Sequence, residues 1–141
     1  MDQGTYNKGF RSLLAWKESH CLTLLVYEVT QAFPRDERYG ITSQMRRAAS
    51  SIGAQLAEGS RMPTAAHRKL YYDRAYSSAA ELDNFLELAR DLKYLSQEHY
   101  AACMKLVNQV SFLIMKLSKS TITHSLPAVP SLPAIPSSVL H

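Results

Sequence analysis

The segment QMRRAASSIGAQLAEGSR, residues 44–61, constrains the fold of this chain more than any other stretch. Four of its apolar residues recur four, three and four positions apart, which places them on one side of an α-helix. These residues are Met45, Ala49, Ile52 and Leu56. Small residues flank this stripe, so other helices can approach it closely from more than one side. The segment therefore predicts a packed helix that is capped by Thr42 or Ser43 and ended by Gly59 in a left-handed conformation.

Three further stretches show the same helical spacing. The first predicted helix runs from about Ser12 to Phe33, because Pro34 cannot donate the next backbone hydrogen bond. The third is capped by Thr64 and extends to about Leu95. The fourth is capped by Ser96, and its apolar residues repeat three and four positions apart as far as Leu117. Four amphipathic helices joined by short loops predict an all-α fold, an antiparallel up-and-down four-helix bundle.

Composition divides the chain into three parts. Residues 1–11 are polar and predict a flexible N-terminus, residues 12–119 form the bundle, and residues 120–141 form a Ser/Pro-rich tail. The tail contains the tandem repeat SLPAVP–SLPAIP, residues 125–136, with four of the chain's 6 prolines. Because these prolines forbid a helix and favour an extended backbone, we expect a disordered tail. A passive tail is favoured over a docking motif.

Length and hydropathy limit the class of protein. A chain of 141 residues with a hydrophobic fraction of 46% fills a single core. It has no run of 18 or more apolar residues, and the segment MDQGTYNKGF lacks the apolar stretch of a signal peptide. We therefore expect a cytoplasmic protein with no membrane partner.

Residues that could carry chemistry do not show the required spacings. Cys21 and Cys103 form no CxxC pair, so buried free thiols are favoured over a disulfide or a metal site. The 5 histidines show no HxxxH pair, and the chain has no ExxH, GxxxxGK[ST], GxGxxG or GxSxG motif. The carboxylates of Glu81, Asp83 and Glu87 are better explained by a solvated or interhelical ionic face. We expect no enzyme, no cofactor and no metal.

The formal net charge is +4, and its distribution along the chain indicates a candidate binding surface. In an up-and-down bundle the start of the first helix, the turn between the second and third, and the end of the fourth lie together. The candidate nucleic-acid-binding residues at this basic end are Arg11, Arg61, Arg68, Lys69, Lys116 and Lys119. Favourable charges at helix C-termini or simple solubility explain them equally well.

The opposite end mixes both signs of charge and is expected to be closer to neutral. Its basic residues are Arg35, Arg38, Arg46 and Arg47, and its acidic residues are Asp36, Glu37, Asp91 and Glu98. We assign Arg46, Arg47 and Glu58 to packing or oligomer contacts. An ionic contact that orients helices or subunits is favoured for them over direct contact with a ligand.

Three stretches together are similar to a known family. LLAWKESHCLTLLVYEVTQAFP, ERYGITSQMRRAASSIGAQLAEGSR and YYDRAYSSAAELDNFLELARDLKYL resemble the bacterial four-helix bundle proteins first described as products of intervening sequences in 23S ribosomal RNA genes. The likeness covers residues 12–119, although the family usually has proline and asparagine at the positions of Gly53 and Gln55. The resemblance implies an antiparallel bundle that assembles into a ring-like homopentamer, without enzymatic activity or a metal.

A more distant branch of that family is the accessory variability determinant of diversity-generating retroelements. The resemblance to it implies a basic pentameric barrel that binds nucleic acid, RNA or an RNA/DNA hybrid, and a partner reverse transcriptase. Our first hypothesis is accordingly a non-enzymatic homo-oligomeric nucleic-acid-binding accessory protein, with a reverse transcriptase or ribosomal RNA as candidate partner. The alternative is a structural or protein-interaction scaffold that binds no nucleic acid.

Overall fold

The structure of this chain is a computed structural model that describes the backbone of residues 9–125 and the side chains of residues 9–121. This part of the chain is helical and contains no strand. The four long helices are α1 (Leu14–Thr30), α2 (Ile41–Ser60), α3 (Ala65–Asp91) and α4 (Gln97–Ser125). Short 3-10 helices at Gly9–Ser12 and Arg35–Glu37 precede α1 and α2. The predicted tandem proline repeat lies outside the described residues, apart from its first residue.

The helices pack as a four-cornered bundle. α1 packs against α2 and α4, and α3 packs against the same two helices. Short connections join consecutive helices, so neighbours in sequence are antiparallel neighbours in space. The predicted all-α, up-and-down four-helix bundle is confirmed.

Each helix contributes its predicted apolar stripe to the core. Met45, Ala49, Ile52 and Leu56 of α2 are fully buried. Facing residues from the other helices are also inaccessible, including Leu22, Val26, Leu82, Leu86, Val110 and Ile114. Burial of one such leucine or isoleucine stabilises the fold by about 1.5–3 kcal/mol relative to its exposure. The regular spacing in the sequence therefore identified the residues that hold the bundle together.

Gly59 does not end α2 as a left-handed cap, which was its predicted role. It is buried and lies within the helix, and the glycine with positive φ in the described chain is Gly9. A Cβ atom at position 59 would lie 2.8 Å from Cβ of Tyr71 and 2.9 Å from Cε1 of Tyr72. The glycine therefore permits close packing of α3 on α2, and the predicted left-handed cap is wrong.

The start of α2 also differs from the prediction. The helix begins at Ile41, and neither Thr42 nor Ser43 caps it. The N–H of Ile41 instead donates to Oε2 of Glu37 at 3.1 Å. A side chain at Gly40 would obstruct this contact, because its Cβ would lie 2.6 Å from the same oxygen. The carboxylate of Glu37 thus satisfies one N–H of the first turn. Thr42 and Ser43 lie inside the helix rather than at its cap.

The predicted caps of the last two helices are correct, although their ends are displaced. Oγ1 of Thr64 accepts from the N–H of His67 at 3.2 Å, and Oγ of Ser96 accepts from the N–H of His99 at 3.1 Å. α3 ends at Asp91 rather than at the predicted Leu95, because Lys93 adopts a φ of 64°. α4 continues to Ser125, so the first six residues assigned to the tail are helical.

α1 is shorter than predicted, and the chain before it is structured. It begins at Leu14 and ends at Thr30, inside the predicted limits. The preceding 3-10 helix places the Phe10 ring 5.1 Å from the Trp16 ring, edge to face. Residues 9–11 of the predicted flexible N-terminus therefore pack on the bundle, and residues 1–8 lie outside the described part.

Candidate nucleic-acid interface

The six residues predicted to bind nucleic acid lie toward one end of the bundle but do not form one site. Arg11 precedes α1 and Arg61 directly follows α2. Lys69 and Lys119 border a groove of about 390 Å³ between α3 and α4. Lys116 borders a separate groove of about 290 Å³ between α1 and α4. The basic end is therefore divided among several faces.

Two charges of this end are engaged in contacts within the bundle. Nη1 of Arg68 donates to the carbonyl oxygen of Met62 at 3.1 Å, which ties α3 to the preceding turn. Nζ of Lys69 lies 2.6 Å from Oδ2 of Asp73. Oδ1 of Asp73 accepts from Oγ of Ser118 at 2.6 Å, which links α3 to α4. Both basic residues thus contribute to the structure of this end.

These contacts change the acidity of Asp73. Partial burial alone would raise the pKa of its carboxyl. The hydrogen bonds from Lys69 and Ser118, together with the Lys69 charge, outweigh burial and hold this pKa below its ordinary value. Asp73 is therefore an ionised partner that reduces the net positive charge of the basic end.

A second surface lies at the opposite end of the bundle, between the end of α1 and the start of α2. It is an open groove of about 710 Å³, which we call the arginine groove. Its basic lining residues are Arg35, Arg38, Arg46 and Arg47. Within the described part of the chain no aspartate or glutamate lines it. The sequence placed these four arginines at one end but predicted a nearly neutral surface there.

Two of the four acidic residues of this end, Glu37 and Asp91, have partners away from the arginine groove. Glu37 accepts from the N–H of Ile41, and its Oε1 lies 3.4 Å from the hydroxyl of Tyr94. Partial burial and the Glu37 charge raise the pKa of Tyr94. Oδ1 of Asp91 accepts from Nε of Arg90 at 3.3 Å. The charges of this end are therefore separated in space: Glu37 caps α2, whereas four arginines line the groove. The expectation of a nearly neutral end did not include this separation.

Two of the four arginines hold helices together. Nε of Arg46 donates to Oγ1 of Thr30 at 2.9 Å, and its guanidinium lies 4.7 Å from the centre of the Tyr27 ring. Arg47 forms an ion pair with Glu81 of α3. These contacts link α2 to α1 and to α3, and they hold both guanidinium groups at the edge of the groove. The packing or oligomer role assigned to both residues stays a prediction.

Three further charged residues are exposed: Arg35 and Arg38 before α2, and Glu58 near its end. Arg35 and Arg38 form no ion pair with any residue that the structure describes. Glu58, the third residue assigned to packing or oligomer contacts, is also exposed and has no ion pair within residues 9–121. Its role between subunits stays a prediction.

Thr42 is the unusual polar residue of the arginine groove. Its side chain is only 8% exposed, and the residue lines the groove. Oγ1 of Thr42 has no hydrogen-bond partner among the described residues. A buried hydroxyl without a partner is destabilising, so this atom is a local cost of the packing at the start of α2.

The described residues give little support to metal or thiol chemistry. No group of three or more histidine, cysteine, aspartate or glutamate side chains in this part could hold a metal ion. Burial raises the pKa of the Cys103 thiol to about 11, so it stays protonated near neutral pH. The prediction of two buried thiols is wrong for Cys21, which is exposed on α1. None of the helices in this part combines the length and apolar character needed to span a bilayer.

Fold and surface together define a helical-bundle protein with basic surfaces at both ends. Comparison with family models then identifies it further: residues 11–116 match the 23S rRNA-intervening sequence protein family, and the chain belongs to that family. The predicted resemblance over residues 12–119 is confirmed. The more distant relationship to retroelement accessory proteins stays a prediction.

A solved structure has the same fold. It is a protein of unknown function from the S23 ribosomal protein family of Bacteroides thetaiotaomicron, 19% identical, with a TM-score of 0.68. The match covers 75% of this chain and 99% of that chain. A search of curated proteins gave no match.

Proposed function

We propose that this chain is a non-enzymatic, homo-oligomeric accessory protein that binds nucleic acid, with RNA as the favoured partner. The observation that carries the proposal is the arginine groove, in which four arginines and no acidic residue line one depression of the described chain. Guanidinium groups bind phosphate oxygens through two parallel hydrogen bonds, and an ammonium group cannot match that geometry. The groove is therefore suited to a phosphate-rich polymer.

Family and charge support the same function. The family takes its description from intervening sequences of 23S ribosomal RNA, which is compatible with association with RNA. The chain carries a net charge of +4, and in an oligomer the fields of neighbouring subunits add. Binding through phosphates is largely independent of base sequence and weakens as salt is added. Ribosomal RNA and a nucleic acid held by a reverse transcriptase are both candidate targets.

The homo-oligomer part of the proposal rests on the surface of α1. Leu14 is 56% exposed and Leu24 is 59% exposed, with the exposed Cys21 between them. Their spacing of seven and three residues places all three on one side of α1, which we call the α1 stripe. A second copy of the chain would remove this apolar surface from water. A ring of five copies is the arrangement that the family resemblance implies.

The α1 stripe also favours the alternative function, a scaffold that binds another protein and no nucleic acid. The two functions differ in whether the arginine groove is used. A scaffold has no requirement for a groove lined by arginines, whereas a nucleic-acid-binding protein loses affinity without them. A measurement of nucleic-acid binding therefore distinguishes the two functions, whereas a measurement of assembly does not.

Size-exclusion chromatography with light scattering tests both parts of the proposal. The protein is run alone and with a single-stranded RNA of about 20 nucleotides, at low and at high salt. We expect a particle several times the 15.8 kDa of one chain, which takes up RNA at low salt and releases it at high salt. A particle that elutes without RNA at low salt contradicts nucleic-acid binding, and a monomer at micromolar concentration contradicts the oligomer.

A further inference from the structure

The groove between α3 and α4, which we call the α3–α4 groove, contains apolar side chains that the described residues leave exposed. Its volume is about 390 Å³, and its lining includes Tyr76 of α3 and Ile114 and Met115 of α4. Phe112 lies three residues before Met115, so both project from the same side of α4. Tyr76, Phe112 and Met115 are exposed, whereas Ile114 is buried. The bundle alone therefore leaves an apolar surface between α3 and the C-terminal half of α4.

The polar contacts of the α3–α4 groove lie within the bundle. Oδ2 of Asp73 lies 2.6 Å from Nζ of Lys69, and Oδ1 accepts from Oγ of Ser118 at 2.6 Å. These contacts compensate the acidic charge of the groove, so an occupant does not need a charge of its own. An uncharged, apolar segment fits this surface better than a charged one, because a charge would lose its hydration against the apolar side chains.

The proline-rich segment of residues 126–137 continues directly from α4 and lies outside the described residues. It reads LPAVPSLPAIPS and carries no charged side chain. A polyproline II helix has three residues per turn, so residues three positions apart share one side of it. The large aliphatic residues of the segment have this spacing: Leu126, Val129, Leu132 and Ile135. In that conformation the prolines occupy the second side, and alanine and serine occupy the third.

A proline-rich segment and a groove with aromatic side chains are complementary. Proline-rich segments in polyproline II conformation bind such grooves at a low cost in entropy, because their backbone is restricted before binding. Tyr76 and Phe112 supply the aromatic rings at this groove. The Tyr76 hydroxyl can also donate to a backbone carbonyl oxygen, which has no partner within a polyproline II helix.

The segment is long enough to reach the groove. α4 ends at Ser125, and Met115 lies about 15 Å before that end, at about 1.5 Å per residue. A polyproline II segment extends by about 3.1 Å per residue, so residues 126–137 cover about 37 Å. If the chain has reversed direction by Pro127, Leu132 comes level with Met115, since both then lie about 15 Å from the end of α4.

We infer that residues 126–137 fold back along α4 of their own chain and dock in the α3–α4 groove, with their aliphatic side against the aromatic rings and Met115. Sequence alone favoured a passive tail, and the exposed groove beside α4 supplies the docking surface. Lys69 and Lys119 border the same groove. A docked segment would therefore cover two of the six residues predicted to bind nucleic acid at the basic end.

The competing surface is the groove of about 290 Å³ between α1 and α4. Leu14 and Leu117 line it, but none of its lining residues in the described chain is aromatic. Leu14 also belongs to the α1 stripe, which a second copy of the chain would cover in the proposed oligomer. The α3–α4 groove has both the aromatic rings and no other proposed partner.

Methyl NMR of the full chain with a nitroxide on the segment tests the docking. The label is attached to Ser131→Cys, on the alanine and serine side, in a chain that also carries Cys21→Ser to remove the exposed thiol. Cys103 is buried and the pKa of its thiol is raised to about 11, so it does not react. The unpaired electron broadens the resonances of nearby methyl groups, and this effect falls steeply with distance. We expect strong broadening of the Met115 methyl and little effect on Met45 of α2.

Two pairs of variants identify the contact surfaces. Leu132→Ser/Ile135→Ser should abolish the broadening of Met115, because it removes the aliphatic side, whereas the matched control Ala128→Ser/Ala134→Ser should retain it. Tyr76→Ser should weaken the broadening, and Leu14→Ser in the competing groove should not. Circular dichroism checks that each variant keeps its helices. None of these samples contains RNA, so the result is independent of the proposed function.

The same label distinguishes docking on the chain's own groove from docking on a neighbouring copy. The labelled chain is unfolded in urea and refolded with an excess of unmodified chain that is invisible to the NMR experiment. Broadening of Met115 should persist, because label and groove are in one chain. Loss of broadening on this dilution, its loss with Leu14→Ser but not with Tyr76→Ser, or its retention in Leu132→Ser/Ile135→Ser overturns the inference. Absence of any broadening of Met115 also overturns it.

Discussion

Arg47 of α2 and Glu81 of α3 form an ion pair across the interface between their helices. Both side chains are partly exposed, at 53% and 38%. Exposed pairs of this kind stabilise a fold by about 0–1 kcal/mol, since solvent screens the charges. The pair therefore orients Arg47 more than it stabilises the bundle, and it withdraws part of one positive charge from the arginine groove.

The first prediction follows from the small stabilisation expected of the Arg47–Glu81 pair and from its effect on the charge of the groove. Glu81→Gln should lower the free energy of unfolding by less than about 1 kcal/mol and should strengthen RNA binding, because Arg47 loses its counter-charge. Denaturant unfolding and fluorescence anisotropy with labelled RNA measure the two effects. Asp83→Asn, on the same helix, is the matched control for charge alone. Weaker RNA binding by Glu81→Gln would show that the ion pair is needed to build the groove.

The second prediction concerns the two glycines of α2. Gly59→Ala should destabilise the bundle by about 1–3 kcal/mol, because the new Cβ would lie 2.8 Å from Cβ of Tyr71. Gly53→Ala is the matched control, since its Cβ would lie 3.4 Å from the nearest atoms of Ser19 and Trp16. Alanine also favours the helix by about 0.5–1 kcal/mol over glycine, so Gly53→Ala should be neutral or stabilising.

Thermal denaturation of a double variant distinguishes this account from a left-handed end of α2. Gly59→Ala is destabilising in either case, so the informative variant is Tyr72→Leu in the Gly59→Ala background. The cost of Gly59→Ala should be smaller in the Tyr72→Leu background than in the unmodified chain, because Tyr72→Leu removes the ring atom that lies 2.9 Å from the new Cβ. An equal cost of Gly59→Ala in both backgrounds would contradict the close-packing explanation.

The third prediction is a dependence of stability on pH at the α3–α4 contact. The pKa of Asp73 is lower in the folded chain than its ordinary value of 3.8. The stability that it contributes is therefore complete above that ordinary value and is lost as the pH falls through the lower, folded pKa. Ser118→Ala removes one donor to Asp73, so its destabilisation should be larger at about pH 5 than at about pH 2.

Urea unfolding at the two pH values measures this difference. Ser77→Ala is the control, because Oγ of Ser77 donates to the backbone oxygen of Asp73 at 3.2 Å rather than to its carboxylate. Its effect should not change with pH. An equal effect of Ser118→Ala at both pH values would show that this hydrogen bond does not set the Asp73 pKa.

The fourth prediction tests the α1 stripe. Leu24→Glu should shift the oligomer toward the monomer without unfolding the chain, because the side chain is 59% exposed within one bundle. Light scattering gives the mass, and circular dichroism checks that the helices are retained. Lys105→Glu, exposed on α4, is the control for added negative charge. An unchanged mass for Leu24→Glu would place the subunit interface elsewhere.

Helical spacing predicted the core because burial and periodicity are linked. Leu82 and Leu86 are four residues apart, which is enough to place both on the buried side of α3. The cap at Thr64 was predictable for a similar reason, since it depends on residues within one turn. Local geometry therefore accounts for the success of the fold prediction.

The surface was less predictable because it depends on contacts between distant segments. Glu37 and Arg38 are adjacent in sequence, yet Glu37 caps α2 while Arg38 lines the arginine groove. A count of charges at this end cannot separate them. Gly40 was the available signal, since a glycine before a helix permits an upstream carboxylate to reach the first N–H. The role of Gly59 was missed similarly, because a glycine at a helix end serves either a turn or a close contact.

The salt dependence of RNA binding tests the central claim most directly. Fluorescence anisotropy at several salt concentrations gives the slope of log affinity against log salt, about −0.7 for each phosphate neutralised on a single strand. We predict salt-dependent binding by the unmodified chain and a slope smaller by about 1.4 for Arg35→Gln/Arg38→Gln, with the slope retained by Lys17→Gln/Lys105→Gln. Absence of binding at low salt, or an affinity that does not change with salt, would contradict the account.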